Sequence, residues 1–162
     1  MAEIIFSELD SKFMERAIEL SIKNVENGGG PFGAVIVKDG EIIAEGVNRV
    51  TATNDPTAHA EVSAIRAACK TRKTFKLEGC TIYTSCEPCP MCLSAIYWAG
   101  LSRIFFGNTK EDAKAINFDD SFIYQEIEKP YAARAVPAIG FMRERAIAAF
   151  EAWSNKTDKI EY

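Results

Sequence analysis

Cys80-Thr81-Ile82-Tyr83-Thr84-Ser85-Cys86-Glu87-Pro88-Cys89-Pro90-Met91-Cys92 passes from a β-rich stretch into one punctuated by prolines. Cys80 to Ser85 predicts a strand; Pro88 opens a helix that Gly100 closes, and Ser102 to Gly107 predicts a second strand. Upstream, Gly33 to Lys38 and Glu41 to Val47 are two β-rich runs joined by Asp39-Gly40, a strong two-residue hairpin turn. Ser7 to about Val25 predicts a helix, with Leu9, Phe13, Ala17 and Leu20 on one face and Ser7 or Asp10 as N-cap. Asp55-Pro56 reads as an N-cap and first helical residue, predicting a helix to about Lys70. Downstream, a short helix is expected near Lys110 to Ala115, then an acidic-aromatic loop. An extended piece near Arg134 to Ile139 and a helix from about Arg143 to Trp153 complete the pattern. Strands and helices alternate after an opening hairpin, which predicts an α/β fold: a mixed sheet with helices on both faces.

The chain has 162 residues, 48% of them hydrophobic and 26% charged. That suits a single domain with a sizeable core and argues against disorder. With no repeat or low-complexity linker in view, residues 1–162 are expected to form one domain. The net charge of −4, with no Lys/Arg tract, removes the usual electrostatic footprint of a nucleic-acid or anionic-membrane binder. The uncharged stretch from Pro88 to Ser102 carries prolines and is too short to span a bilayer. Met1-Ala2-Glu3-Ile4-Ile5 shows no basic or long apolar leader, so no secretory signal is expected. Gly28, Gly30 and Gly33 spell a dinucleotide-binding pattern, but they follow a helix and open a strand, the reverse of what that pattern needs.

Five cysteines and one histidine carry the chemistry. An odd number of cysteines, three of them bunched, fits reduced cytoplasmic thiols better than disulfides. His59 and Glu61 fall in the first turns of one predicted helix, and Cys89 and Cys92 in the first turn of another. Cysteines three apart share a helix face and reach one ion, and a helix N-terminus favours the thiolate. His59, Cys89 and Cys92 therefore make a three-ligand Zn²⁺ site with a fourth position open, as in catalytic sites. Glu61, two residues from His59, is the candidate to take and return a proton there. Two rival readings use Cys86. An iron–sulfur cluster lacks a fourth cysteine at the required spacing and would have to contain Pro88 and Pro90. A closed Cys₃His structural zinc with Cys86 as fourth ligand, in a non-enzymatic module, is the reading from another class. Cys69 and Cys80 are expected in the core.

His59-Ala60-Glu61 followed by Pro88-Cys89-Pro90-Met91-Cys92 has the order H-x-E…P-C-x-x-C of zinc nucleobase deaminases. With it go Pro31-Phe32-Gly33-Ala34-Val35-Ile36-Val37, Asn54-Asp55-Pro56-Thr57-Ala58, Phe118-Asp119-Asp120-Ser121-Phe122-Ile123-Tyr124 and the terminal Glu161-Tyr162. On these blocks the sequence resembles the cytidine-deaminase-like superfamily of zinc hydrolases and, within it, the bacterial guanine deaminase family. The resemblance implies a three-layer α/β/α fold around a five-stranded sheet. It also implies a homodimer that exchanges C-terminal segments, about residues 118–162, and conversion of guanine to xanthine and ammonia with Glu61 as proton shuttle. It counts Asn48, Phe32, Ala60, Trp98, Asp120 and Tyr162 on the substrate side. Asn48 would contact the purine and Phe32 and Trp98 would wall it; Asp120 and Tyr162 would lie over the guanine edge, one or both from across the dimer. From the residues alone, Asn48 serves equally as a turn residue and Trp98 as core packing. Guanosine and related aminopurines or aminotriazines are alternative substrates. A tRNA adenosine deaminase would need a basic surface, which the acidic balance opposes.

Overall fold

The computed structural model describes residues 6–162, which form two compact units, one through Asp120 and one from Ser121 to Tyr162. The leader reading at Met1–Ile5 lies outside the described residues.

The first unit is built on one sheet. Strands β1 (Gly33–Lys38) and β2 (Glu41–Val47) form the expected hairpin, with Asp39 and Gly40 at φ 51° and 80° as a two-residue turn of this hand requires. Strands β3 (Thr81–Cys86) and β4 (Arg103–Asn108) complete the order β2-β1-β3-β4. β1 pairs antiparallel with both β2 and β3, whereas β3 and β4 are parallel, so the sheet is mixed as predicted. It has four strands among the described residues, where the resemblance implied five. The expected extended piece at 134–139 contains Pro137, which has no N–H to give a ladder, and it forms no strand within this chain.

Helices cover both faces. Helix α1 (Glu8–Glu26) starts at the predicted Ser7, which shares a capping box with Asp10. It packs Phe13 and Ala17 on Val35, Val37 and Tyr83. On the opposite face, α3 (Ala60–Arg72) and α4 (Pro90–Ala99) bring Ala60, Ala64, Ala68 and Ile96 onto Ala34, Ile36 and Ile82. Between β2 and α3 runs one further short turn, α2 (Val50–Thr53). With both faces covered, β1 is buried at successive residues instead of alternating. Two glycines make the approach close enough. A Cβ on Gly33 would meet the α1 backbone at Ala17 O at 2.4 Å, and one on Gly46 would meet the α3 backbone at Ala60 O at 2.2 Å. Cys80 is fully buried and Cys69 packs against the same core, as expected.

Three expectations shift. The second long helix begins at Ala60, not at Pro56, because the Asp55 carboxylate accepts from the Thr57 N–H at 2.8 Å and from its hydroxyl at 2.7 Å. This closes a local turn and leaves His59 as the N-cap. Helix α4 likewise begins at Pro90, with Cys89 as N-cap. Beyond α5 (Lys110–Ala115), which lies where predicted, the acidic-aromatic loop becomes in part a helix, α6 (Ser121–Glu128). That helix and α7 (Arg143–Asn155) belong to the second unit, and neither contains a fully buried residue.

Candidate active site

The topology gathers the site at one end of the sheet. Gly33 opposes Val47, and Ala34 opposes Thr84. The start of β1 at Phe32 therefore lies beside the end of β2 at Asn48 and the end of β3 at Cys86. The Asn48 N–H donates to the Phe32 carbonyl at 3.1 Å, and the Gly33 N–H to Ser85 Oγ at 3.1 Å. Because β4 is parallel to β3, its end at Asn108 arrives at the same edge.

Helices α3 and α4 point their N-termini at this edge. Their N-cap residues, His59 (φ −69°, ψ 162°) and Cys89 (φ −64°, ψ 167°), have nearly the same extended backbone, and neither side chain caps its own helix. Both side chains are thus free to face one another. His59 Nδ1 lies 3.5 Å from Cys89 Sγ and 3.5 Å from Cys92 Sγ, and the three donor atoms lie within 4.8 Å of one another. A tetrahedral zinc with Zn–S of about 2.3 Å and Zn–N of about 2.0 Å separates sulfur and nitrogen by about 3.5 Å, so the donor set fits. The Cys89 thiol is pulled down to about 4, chiefly by the hydrogen bond from Cys92, with His59 adding to it. The Cys92 thiol is held up by that same hydrogen bond and by burial. His59 is raised, first by its hydrogen bond to Cys89. A thiolate is therefore already favoured at Cys89, at the start of α4, as metal ligation needs.

Glu61 sits one turn position inside α3 and is only 6% exposed. Thr84 Oγ1 donates to its Oε1 at 3.2 Å, and burial pushes the carboxyl above the usual carboxylate range. Thr84 went unrecognised in the sequence. Its signal was a hydroxyl on the same strand face as Ile82, where α3 covers the sheet.

Cys86 does not join the cluster. Its buried thiol donates to the Thr109 carbonyl at 3.7 Å, and burial pushes it up to about 11. Among the described residues the group able to hold a metal is His59, Cys89 and Cys92, with Cys86 outside it, which speaks against the closed Cys₃His reading.

On the substrate side, Asn48 is buried and Ala60 is fully buried at the start of α3. The half-buried Phe32 meets Phe118 edge-on, centroids 5.0 Å apart at 86°. Asp120 is half-buried, and its carboxyl is raised by burial and next by the charge of Cys89. Trp98, on the last turn of α4, is 69% exposed and takes no part in the core. Tyr162 belongs to the second unit, where its ring meets Trp153.

Residues 7–108 match the family described as the cytidine and deoxycytidylate deaminase zinc-binding region. The chain belongs to this family. The deaminase is 54% identical to guanine deaminase of Bacillus subtilis over 151 residues, 93% of this chain and 97% of that protein. The X-ray structure of guanine deaminase from that organism superposes with a TM-score of 0.92 at 52% identity, covering 97% of this chain and 99% of the other. The tRNA-specific adenosine deaminase of Aquifex aeolicus is 43% identical over 94 residues, 58% of this chain and 62% of its own. No helix of the described residues is long and apolar enough to cross a membrane.

Proposed function

We propose that this deaminase hydrolyses guanine to xanthine and ammonia. The observation that carries the chemistry is a buried carboxylate, Glu61, placed beside a three-donor zinc site. The extent of likeness to the Bacillus subtilis protein supports guanine: it runs through the C-terminal unit, whereas likeness to the tRNA deaminase stops well short of the full chain.

Zinc, when bound by His59, Cys89 and Cys92, supplies the Lewis acidity that makes water a nucleophile near neutral pH. Glu61 takes a proton from the attacking water and delivers it to the ring nitrogen beside C2 as the C2–O bond forms. It then takes the remaining proton of the added hydroxyl and passes it to the amine, which leaves as ammonia when the C2–N bond breaks. Burial makes its carboxylate a better base than one in water, and the Thr84 hydroxyl fixes its orientation. Asn48 holds the purine, and Phe32 and Trp98 wall it. The Ala60 backbone brings the positive end of α3 to the site, Asp120 takes the guanine edge, and Tyr162 is supplied to that edge from across the dimer.

Ammonia release from guanine, guanosine, adenine and cytosine, with inosine formation in tRNA alongside, tests the reading. Guanine is expected to exceed guanosine by about tenfold or more in kcat/KM, a modest demand on a shaped pocket. Preference for guanosine or for tRNA would overturn it.

The working assembly is a homodimer that exchanges C-terminal segments. Because Phe118 packs on Phe32 of its own chain, the exchanged part is placed from Ser121 onward, inside the expected 118–162. Support comes from α6 and α7, which complete no core, and from Val136, Ile139, Phe141 and Phe150, all exposed in this chain. The sheet also ends on β4, an edge strand with mostly exposed residues. Sedimentation equilibrium is expected to give twice the 17.9 kDa chain mass, and a monomer would refute the exchange. Five free thiols, two of them needed reduced for ligation, support a place in the cytoplasm.

A further inference from the structure

We infer that Glu87 is a positioning residue: its side chain ties the loop carrying the metal ligand Cys89 to α5, and α5 in turn holds residues 118–120 against Phe32. Three hydrogen bonds join the loop to the end of β4 and the start of α5. The Glu87 N–H donates to the Asn108 carbonyl at 2.8 Å, Cys86 Sγ–H to the Thr109 carbonyl at 3.7 Å, and the Lys110 N–H to Glu87 Oε2 at 3.1 Å. Two of the three come from backbone or a buried thiol. The third is the only one a half-buried charged side chain makes, and it lands on the first amide of the helix, where no intrahelical acceptor exists.

Helix α5 is stiffened at its start by the Thr109–Asp112 capping box. At its other end the Phe118 N–H returns to the Ala113 carbonyl at 3.0 Å, and Asp119 pairs with Lys114 at 3.1 Å. Asn117, at φ 70°, reverses the chain between them. The helix is thus a short bracket: one end is pinned to the metal-ligand loop, and the other presents Phe118 to Phe32 and carries Asp120. Phe32 in turn accepts from the Asn48 N–H, which closes a ring of contacts around the substrate side. Glu87 lies outside the donor group of His59, Cys89 and Cys92. It sets the distance between the ligand loop and the wall, and so acts on substrate binding rather than on proton transfer.

The kinetic arm of the test rests on the guanine reading; a second arm does not. Glu87→Ala removes the acceptor and Glu87→Gln restores one, since the amide oxygen accepts from the same N–H. Lys110→Pro removes the donor at the first helical position, where proline is tolerated, and Thr109 is already extended (φ −88°, ψ 168°) as a residue before proline must be. Glu87→Ala and Lys110→Pro are each expected to raise the KM for guanine by roughly three- to tenfold, the net worth of one ordinary hydrogen bond. Zinc per chain and kcat stay within about twofold, the double variant is no worse than either single one, and Glu87→Gln stays near wild type. Independently of substrate, hydrogen exchange across residues 113–120 quickens in the alanine and proline variants. Unchanged KM and unchanged exchange would overturn the assignment, as would additive effects or a loss confined to kcat and zinc. If wild type fails to turn over guanine, the functional reading falls, and the exchange arm still decides the role of Glu87.

Discussion

Glu61→Gln is expected to lower kcat for guanine by about 10²–10⁴-fold, the span that a positioned general acid–base contributes. Zinc per chain and the thermal midpoint should stay near wild type. The substitution keeps the shape of the side chain, and its amide oxygen still accepts from Thr84 Oγ1, which now lies 3.2 Å from Oε1. What is lost is the ability to hold a proton at that carboxylate. The chain contains one histidine, and that residue faces the two cysteines, so no second imidazole stands by to replace Glu61. Asp120 is the nearest rival: its carboxyl feels the Cys89 charge and is itself raised. Asp120→Asn provides the comparison, because a residue that binds the substrate edge should raise KM more than it lowers kcat. Full turnover by Glu61→Gln would remove the mechanism.

The hairpin was legible in the sequence to the residue, because Asp39-Gly40 has turn chemistry that few other structures use and the β-rich runs on either side have no competing period. The helix starts were misread by two to four residues for one physical reason. Asp55-Pro56 and Pro88 carry the residue types of a cap and first turn, but Asp55 spends its carboxylate on Thr57, and the Glu87 N–H is taken by the neighbouring strand end. The true caps, His59 and Cys89, have no capping propensity and make no capping bond, since their side chains are turned to each other. No local rule finds a cap that is chosen by a ligand set. Spacing paired His59 with Glu61 and Cys89 with Cys92, each pair at one helix start, and the fold brings His59 to the two cysteines. Thr84, Phe118 and Glu87 act through strand register and a contact between distant segments, and these exist only once β3 and β4 are paired.

The burial pattern explains why the site can be both rigid and open. The core clusters on the two sheet faces draw only Ala60 and, in part, Phe32 from the site end, where buried polar groups such as Asn48 and Glu61 sit beside them. Gly46 and Gly33 hold α3 and α1 against the sheet at backbone distance, which leaves little room for the helix starts to drift. Glu61 is buried by that same close packing, and its raised pKa follows from the architecture rather than from any single neighbour.

His59→Ala is expected to empty the metal site, with affinity falling by more than the roughly 10–100-fold that loss of an outer partner costs. Cys89→Ser and Cys92→Ser should do the same, and all three should abolish turnover. Cys86→Ser should keep about one zinc per chain, because the Cys86 thiol faces the Thr109 carbonyl and a serine hydroxyl donates to the same acceptor. The contrast is read by elemental analysis of protein purified without added metal. Stability provides a second readout. The ligands come from the N-caps of α3 and α4 and from the first turn of α4, so a bound ion cross-links two helices whose caps are otherwise unused. An ion that binds only the folded chain stabilises it by linkage, and chelation should therefore lower the thermal midpoint of wild type and of Cys86→Ser. His59→Ala, already without the ion, should not respond to chelator. Loss of zinc in Cys86→Ser, or a chelator-sensitive midpoint in His59→Ala, would place the metal elsewhere and undo the three-ligand site on which the Glu61 chemistry depends.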